Sequence, residues 1–364
     1  MQRYKSAVQP LLLVYAALIV YASLFPFTGW RDQGIVPWAY LRAPLPRYWT
    51  GFDIITNLIG YAPFGFLLTL ALPLQRRWLA ALLATWLAAL MSFGMECLQS
   101  YLPIRVASNL DLALNATGGA CGAAVAWALE RLGAVEQWQR MRSRWFVRES
   151  RDALALLALW PVALLFPAPV AFGLGQVYER LQSRLTTLLA DTPFIDWLPP
   201  PVRHLQPLAP AAEALCVALG ALVPCLLGYT VTRQRGHRLL LAAAALAVGV
   251  LTSALSAALT YSPPYAWSWI NRPVEAGLLA AVLAAALLLW LPTRGCVALL
   301  MAVLLAQTLL LNTAPLSAYF AITLQSWEQG RFIHFYGLAQ WVGWLWPYVT
   351  FVYLATRIGR ADPV

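Results

Sequence analysis

A set of polar residues stands inside or beside strongly apolar runs in the first third of the chain, at spacings that matter chemically. Asp53 and Asn57 are four apart, Glu96 and Gln99 three apart, Asp111 and Asn115 four apart, and Arg105 falls between the last two pairs. Residues three or four apart share a helix face, so each pair offers a carboxylate beside an amide on one side of its helix. Asn57, Gln99, Asn115 and Arg105 could donate to sugar or phosphate oxygens, while Asp53, Glu96 and Asp111 could accept hydroxyls or cationic groups. Three carboxylates beside amides are also hard oxygen ligands for Mg²⁺ or Ca²⁺, able to polarise a phosphate or glycosyl phosphate. Against that reading, Arg105 repels a divalent ion and no general base stands out. Such pairs also serve as structural glue, fixing helix register for about 0.6–2 kcal/mol per contact.

The elements that must position these groups are membrane helices. The chain has 364 residues, 61% hydrophobic and only 11% charged, a composition outside the range of soluble domains. Apolar runs near 8–28, 53–73, 78–100, 109–130, 153–175, 211–231, 239–261, 275–291, 296–313 and 337–356 predict an all-α, polytopic transmembrane helix bundle of about ten spans. Pro161, Pro167 and Pro169 interrupt the fifth run, and 275–291 is short. Tryptophans at run ends, among them Trp267, Trp269, Trp341, Trp344 and Trp346, read as interface anchors. Arg3 and Lys5 before the first apolar run could mark a signal peptide, but the run continues to Phe25-Pro26-Phe27 and reads as a retained helix.

Most of the 25 Lys and Arg fall in the segments that are internal if the N-terminus is inside, among them Arg76, Arg77, Arg140, Arg142 and Arg144. The positive-inside rule therefore predicts a multi-pass protein with both termini in the cytoplasm. The second and fourth spans then run inward and the third outward, so the three polar pairs sit at one depth near the outer leaflet. Arg105, in the tight loop between the third and fourth spans, can pair there with Glu96 or Asp111. Gly118, Gly119 and Gly122 permit close helix contact, and Pro63 with Gly60 and Gly65 is expected to kink the second span.

Three segments follow: a four-helix membrane module over 1–130, a basic cytoplasmic linker over 131–152, and a C-terminal membrane module of about six spans over 153–364. The linker's arginines with Trp138, Trp145 and Phe146 suit a helix lying on anionic lipid, and a plain topology-setting linker explains the charge equally well. The loop 176–210 holds an amphipathic stretch and then Pro199-Pro200-Pro201, a stiff extended segment.

At the polar pairs the chain resembles the VanZ-like family. The matching stretches are Asp53-Ile54-Ile55-Thr56-Asn57-Leu58-Ile59-Gly60-Tyr61-Ala62-Pro63-Phe64-Gly65, then Glu96-Cys97-Leu98-Gln99, then Arg105 through Gly118 with Asp111 and Asn115 inside it. The resemblance covers about residues 10–130. It implies a role in the cell envelope of a bacterium, with the protein in the inner (cytoplasmic) membrane, and the member that gave the family its name is associated with resistance to the lipoglycopeptide teicoplanin. No reaction comes with it.

Elsewhere the sequence offers less. The net charge of +10 is spread over short loops, so nucleic acid is not an expected partner. Cys97, Cys121, Cys216, Cys225 and Cys296 lie in apolar runs without metal-ligand spacing and read as small hydrophobes. Glu213 and Glu275 read as solvated carboxylates at helix starts, and His204, His237 and His334 as single loop histidines. Neither a nucleophile arrangement nor a nucleotide loop is present, and no cofactor is expected. The leading expectation is a protein that binds a lipid, lipid-linked saccharide or lipoglycopeptide headgroup without turnover, with membrane lipids as its first partners. The alternatives are a divalent-metal-dependent enzyme acting on lipid-linked phosphate or sugar, and a transporter or flippase, which lacks a midplane relay or an internal repeat.

Overall fold

The computed structural model describes residues 8–25, 27–46, 51–166, 168–198, 208–261, 263–313 and 333–358; the side chains of 51–53, 179–180, 261, 263, 333–338 and 358 lie outside that description. The chain folds as an all-α, polytopic transmembrane helix bundle, and an isolated bridge between Phe146 and Thr232 is the extent of β pairing among the described residues. Among the described residues its α-helices are α1 (Val8–Leu24), α2 (Gly51–Ala71), α3 (Arg77–Gln99), α4 (Asn109–Arg131), α5 (Ala134–Trp145), α6 (Arg151–Leu164), α7 (Tyr178–Leu189), α8 (Pro210–Tyr229), α9 (Arg235–Tyr261), α10 (Arg272–Leu287), α11 (Thr293–Asn312) and α12 (Ile333–Ile358). By contacts the chain divides into two compact units, Met1–Arg144 and Trp145–Val364.

Among the described residues, 7 helices are long and apolar enough to cross a membrane: α2, α3, α4, α8, α9, α10 with the turn after it, and α11. The other expected spans take different forms. α1 has 17 residues. The tenth apolar run lies within α12, of 26 residues, which continues through Pro347. The fifth run is a helix of only 14 residues, α6, followed by chain with no helix.

In unit 1, α2 and α4 pack on each other most closely, α3 packs on both, and α1 lies against α2 and α3. Lipid tails are as apolar as leucine, so helices in a bilayer associate through close packing and hydrogen bonds rather than through exclusion of water. The sequence supplies the means for both. On α3, Ala80, Ala84, Ala88, Ser92 and Glu96 recur every four residues and are buried, a ridge of small side chains that ends in a carboxylate. On α4 the buried face is Asn115, Gly118, Gly119, Gly122, Ala123 and Ala126. A methyl group at Gly118 would meet the carbonyl of Leu58, one at Gly122 the carbonyl of Ala62, and one at Gly65 the carbonyl of Gly119, so α2 and α4 touch backbone to backbone. The end of the unit away from the polar pairs is closed by Arg77. Its guanidinium donates to Glu130 of α4 at 2.6 Å and to the carbonyls of Thr69 and Leu72 at the end of α2, at 2.7 and 2.9 Å. α2 runs through Pro63 as a continuous helix, and the hydroxyl of Tyr15 donates to the carbonyl of Gly60 at 2.9 Å.

In unit 2, α8 is the hub: it contacts α6, α9, α10 and α11, and every residue from Gly220 to Tyr229 is buried. Where the fifth span was expected to continue, residues 168–177 form no helix, yet Val170, Phe172, Gly173, Leu174 and Gly175 are buried. Non-helical backbone at membrane depth persists only where protein satisfies its polar groups. Here Gln307 of α11 donates to the Phe172 carbonyl at 2.8 Å, and Gly175 N–H donates to the Gly343 carbonyl of α12 at 2.9 Å. Asn312 and the Tyr348 hydroxyl both donate to the Gly175 carbonyl, and Asn312 Oδ1 accepts the N–H groups of Val177 and Tyr178. Phe172 itself has φ of 61°, in the left-handed region that a bulky residue rarely enters, and its ring stacks on Trp160.

Several side chains take roles the sequence did not predict. Trp346 is not an interface anchor: it is buried and donates from Nε1 to the Leu156 carbonyl at 2.8 Å. Trp269 meets Phe172 edge to face. His237 lies in α9 rather than in a loop, stacked on Trp145 with ring centroids 4.3 Å apart, and Phe146 is buried in the core of unit 2. Glu213 accepts a hydrogen bond from Asn271, which in turn caps α10 by accepting from Val274 N–H. All five cysteines are free thiols, and Cys216, Cys225 and Cys296 are buried. His204 and Pro199-Pro200-Pro201 lie outside the described residues, as does the side chain of His334.

Candidate functional site

The start of α2, the end of α3 and the start of α4 meet at one end of unit 1, and this brings the predicted polar residues together. Asn57 donates from Nδ2 to Asp111 Oδ1 at 2.9 Å, joining α2 to α4. Asn115 donates to Ser92 Oγ at 3.0 Å, joining α4 to α3. Glu96, 3% exposed, accepts the backbone N–H of Ser108 at 2.8 Å. Gln99 donates to the Ser23 carbonyl at 3.0 Å, near the end of α1. Asp53 begins the same end of α2, but its side chain lies outside the described residues.

Ser108 organises the junction. It is the N-cap of α4, with extended backbone, and its hydroxyl accepts from Asp111 N–H at 3.3 Å. In a capping box the side chain at the third helical position, here Asp111, would reach back to the N-cap N–H. That N–H goes instead to Glu96 from the neighbouring helix, and Asp111 holds Asn57. The cap of α4 is thus completed across three helices.

Arg105 was expected to pair with Glu96 or Asp111. Its guanidinium donates to the carbonyls of Ala22 and Phe25 at the end of α1, at 3.2 and 2.8 Å. Burial pushes its pKa down, and the neighbouring Glu96 acts in the opposite direction. Arginine suits this position because its fork can satisfy carbonyls at a helix end while keeping its charge close to a buried carboxylate.

A strap formed by residues 27–46 lies over this end. Arg31 N–H donates to the Tyr101 carbonyl at 3.0 Å, Gln33 donates to the Ser100 carbonyl at 2.6 Å, and Asn109 donates to the Ala43 carbonyl at 2.7 Å. Tyr40, in a short helical turn of the strap, is buried, and that burial together with Cys97 and Glu96 pushes its phenol well above the usual range. The strap and the turn after α3 also carry exposed apolar side chains outside the spanning helices, Trp38, Ile104 and Val106 among them.

The arrangement is a hydrogen-bonded junction rimmed by apolar side chains. Asn57, Asn115, Gln99 and Arg105 each have a partner inside the protein, a tighter arrangement than the open pocket the spacing alone predicts. Among the described residues, Asn115 Oδ1 and the Tyr61 hydroxyl are buried and meet no hydrogen-bond partner. No three His, Cys, Asp or Glu side chains come together as a metal-ligand set among the described residues. Ser92, Ser108, Tyr40 and Tyr61 were missed by reasoning from sequence, although Ser108-Asn109-Leu110-Asp111 carries a helix-start signature and Ser92 lies four residues before Glu96.

Comparison with known proteins agrees with the resemblance read from these motifs: residues 8–130 match the family model described as VanZ/LLP1. No curated protein and no solved structure matches the chain.

Proposed function

We propose, from the VanZ/LLP1 match over residues 8–130 and the polar junction within it, that unit 1 binds the headgroup of a membrane lipid, a lipid-linked saccharide or a lipoglycopeptide without turning it over. The observation that carries this reading is the pairing of two surfaces at one end of the unit. Asp111 and Arg105, both partly exposed, supply polar groups, and the strap and turn around them expose Trp38, Ile104 and Val106. Apolar side chains beyond the spanning helices favour contact with acyl or isoprenyl chains, while carboxylate and guanidinium suit hydroxyls and phosphates. On the positive-inside orientation this end faces the outer leaflet of a bacterial inner membrane, where envelope precursors and glycopeptides are met.

The test uses the full chain in native-lipid nanodiscs. Co-purifying lipids are identified by mass spectrometry for wild type, Asp53→Asn, Asp111→Asn and Val106→Ser, each checked for an unchanged thermal transition. Enrichment of one lipid class with wild type, lost in well-folded Asp111→Asn, supports a headgroup site. A lipid profile identical to bulk membrane in wild type would sink the proposal and leave the junction as helix glue.

A further inference from the structure

The basic segment after α4 has a structure that the headgroup reading does not use. α4 ends at Arg131, Leu132 is its C-cap, and Gly133 turns the chain with φ of 73° before α5 begins at Ala134. Two residues reach at most about 7 Å. A headgroup layer is about 5–8 Å thick on each side of the bilayer, so α5 starts within it. Ala134, Trp138 and Met141 recur at helical spacing and form one apolar stripe. Trp138 is 48% exposed and Met141 is also exposed, while Leu132 in the turn is 80% exposed. Arg144 flanks the stripe and Arg140 lies further round on the same side, both exposed, while the single acidic residue of the helix, Glu136, is opposite the stripe, one turn before Arg140. Arg142 is buried and takes no part in the exposed surface.

We propose that α5 lies in the headgroup layer of anionic phospholipid, with Ala134, Trp138 and Met141 toward the acyl chains and Arg140 and Arg144 against lipid phosphates. Charge decides the occupant. A neutral surface satisfies the stripe but not the arginines, whereas an anionic lipid surface satisfies both, with Trp138 at the depth that indole rings prefer. The arginine stems lie along the apolar layer while their guanidinium groups reach outward.

Hydrogen exchange of the full chain, read by mass spectrometry, tests this in nanodiscs of phosphatidylcholine alone and of an equal mixture with phosphatidylglycerol. Amides of 134–144 are expected to exchange more slowly in the mixture, by about fivefold for each arginine engaged, while those of α4 are unchanged. Arg140→Gln with Arg144→Gln removes the difference between the two lipids, and Trp138→Ser raises exchange in both. Equal exchange of wild type in the two compositions overturns the proposal, as does a difference that survives the double arginine substitution. An unchanged rate in Trp138→Ser shows that another surface covers the stripe and overturns it too.

Discussion

Glu96, from α3, accepts the backbone N–H of Ser108, the residue that caps α4, at 2.8 Å. A buried carboxylate therefore stands in for the side chain that would ordinarily close a helix start from within its own sequence. The arrangement makes the beginning of α4 dependent on the end of α3.

Glu96→Ala is expected to destabilise unit 1 by about 1–3 kcal/mol, because it leaves a buried N–H without an acceptor. Glu96→Gln keeps an amide oxygen at the position and is expected to cost less. Thermal unfolding of the two variants in the same nanodisc checks the order, and equal transitions would contradict it.

Asn57 and Asp111 are expected to be coupled. Replacing each by alanine, singly and together, should give a coupling energy of about 0.6–2 kcal/mol, the range of interhelical hydrogen bonds in membranes. A double-mutant cycle on unfolding measures it. Additivity would mean that the 2.9 Å contact contributes nothing to the pairing of α2 with α4.

Glycines divide sharply by what lies beside them. Gly118→Val and Gly122→Val are expected to abolish well-folded protein, since their side chains would run into backbone carbonyls of α2. Gly60→Ala and Gly94→Ala have open space at the same atom and should be tolerated. Monodispersity on size-exclusion chromatography separates the two groups.

In unit 2, Gln307→Leu removes the donor to the Phe172 carbonyl and is expected to cost about 1–3 kcal/mol. The loss should be local first. Hydrogen exchange of residues 168–178 is expected to rise before that of α8, and a uniform rise across the unit would show that this contact is not specific to the non-helical segment.

Much of this is legible in the sequence. Apolar runs of spanning length marked the helices of unit 1, and the three polar pairs were found because ionisable groups inside such runs are costly and therefore few. The four-residue ridge of Ala80, Ala84, Ala88, Ser92 and Glu96 is equally present in the sequence, but small residues leave little mark on a hydropathy profile. What hydropathy cannot register is how backbone polar groups are satisfied. Pro169, Gly173 and Gly175 within residues 168–177 disfavour a helix locally, but the partners that let this backbone stay buried, Gln307, Asn312 and Tyr348, lie more than 130 residues away in sequence. Trp346 misled for a related reason: its indole suits a membrane surface and a buried carbonyl equally, and only the position of Leu156 decides between them.

The glycines of α4 work as a vernier. Gly118 faces Leu58 and Gly122 faces Ala62, four residues apart on both helices, so a slip of one residue along the axis would drive a side chain into a carbonyl. Depth is thereby locked. Asn57 adjoins Leu58 and Asn115 lies three residues before Gly118, so the alignment of the polar groups with one another is inherited from contacts that contain no polar side chain. Any side chain at Gly122, two turns from Asn115, would therefore disturb the junction without touching one of its polar groups.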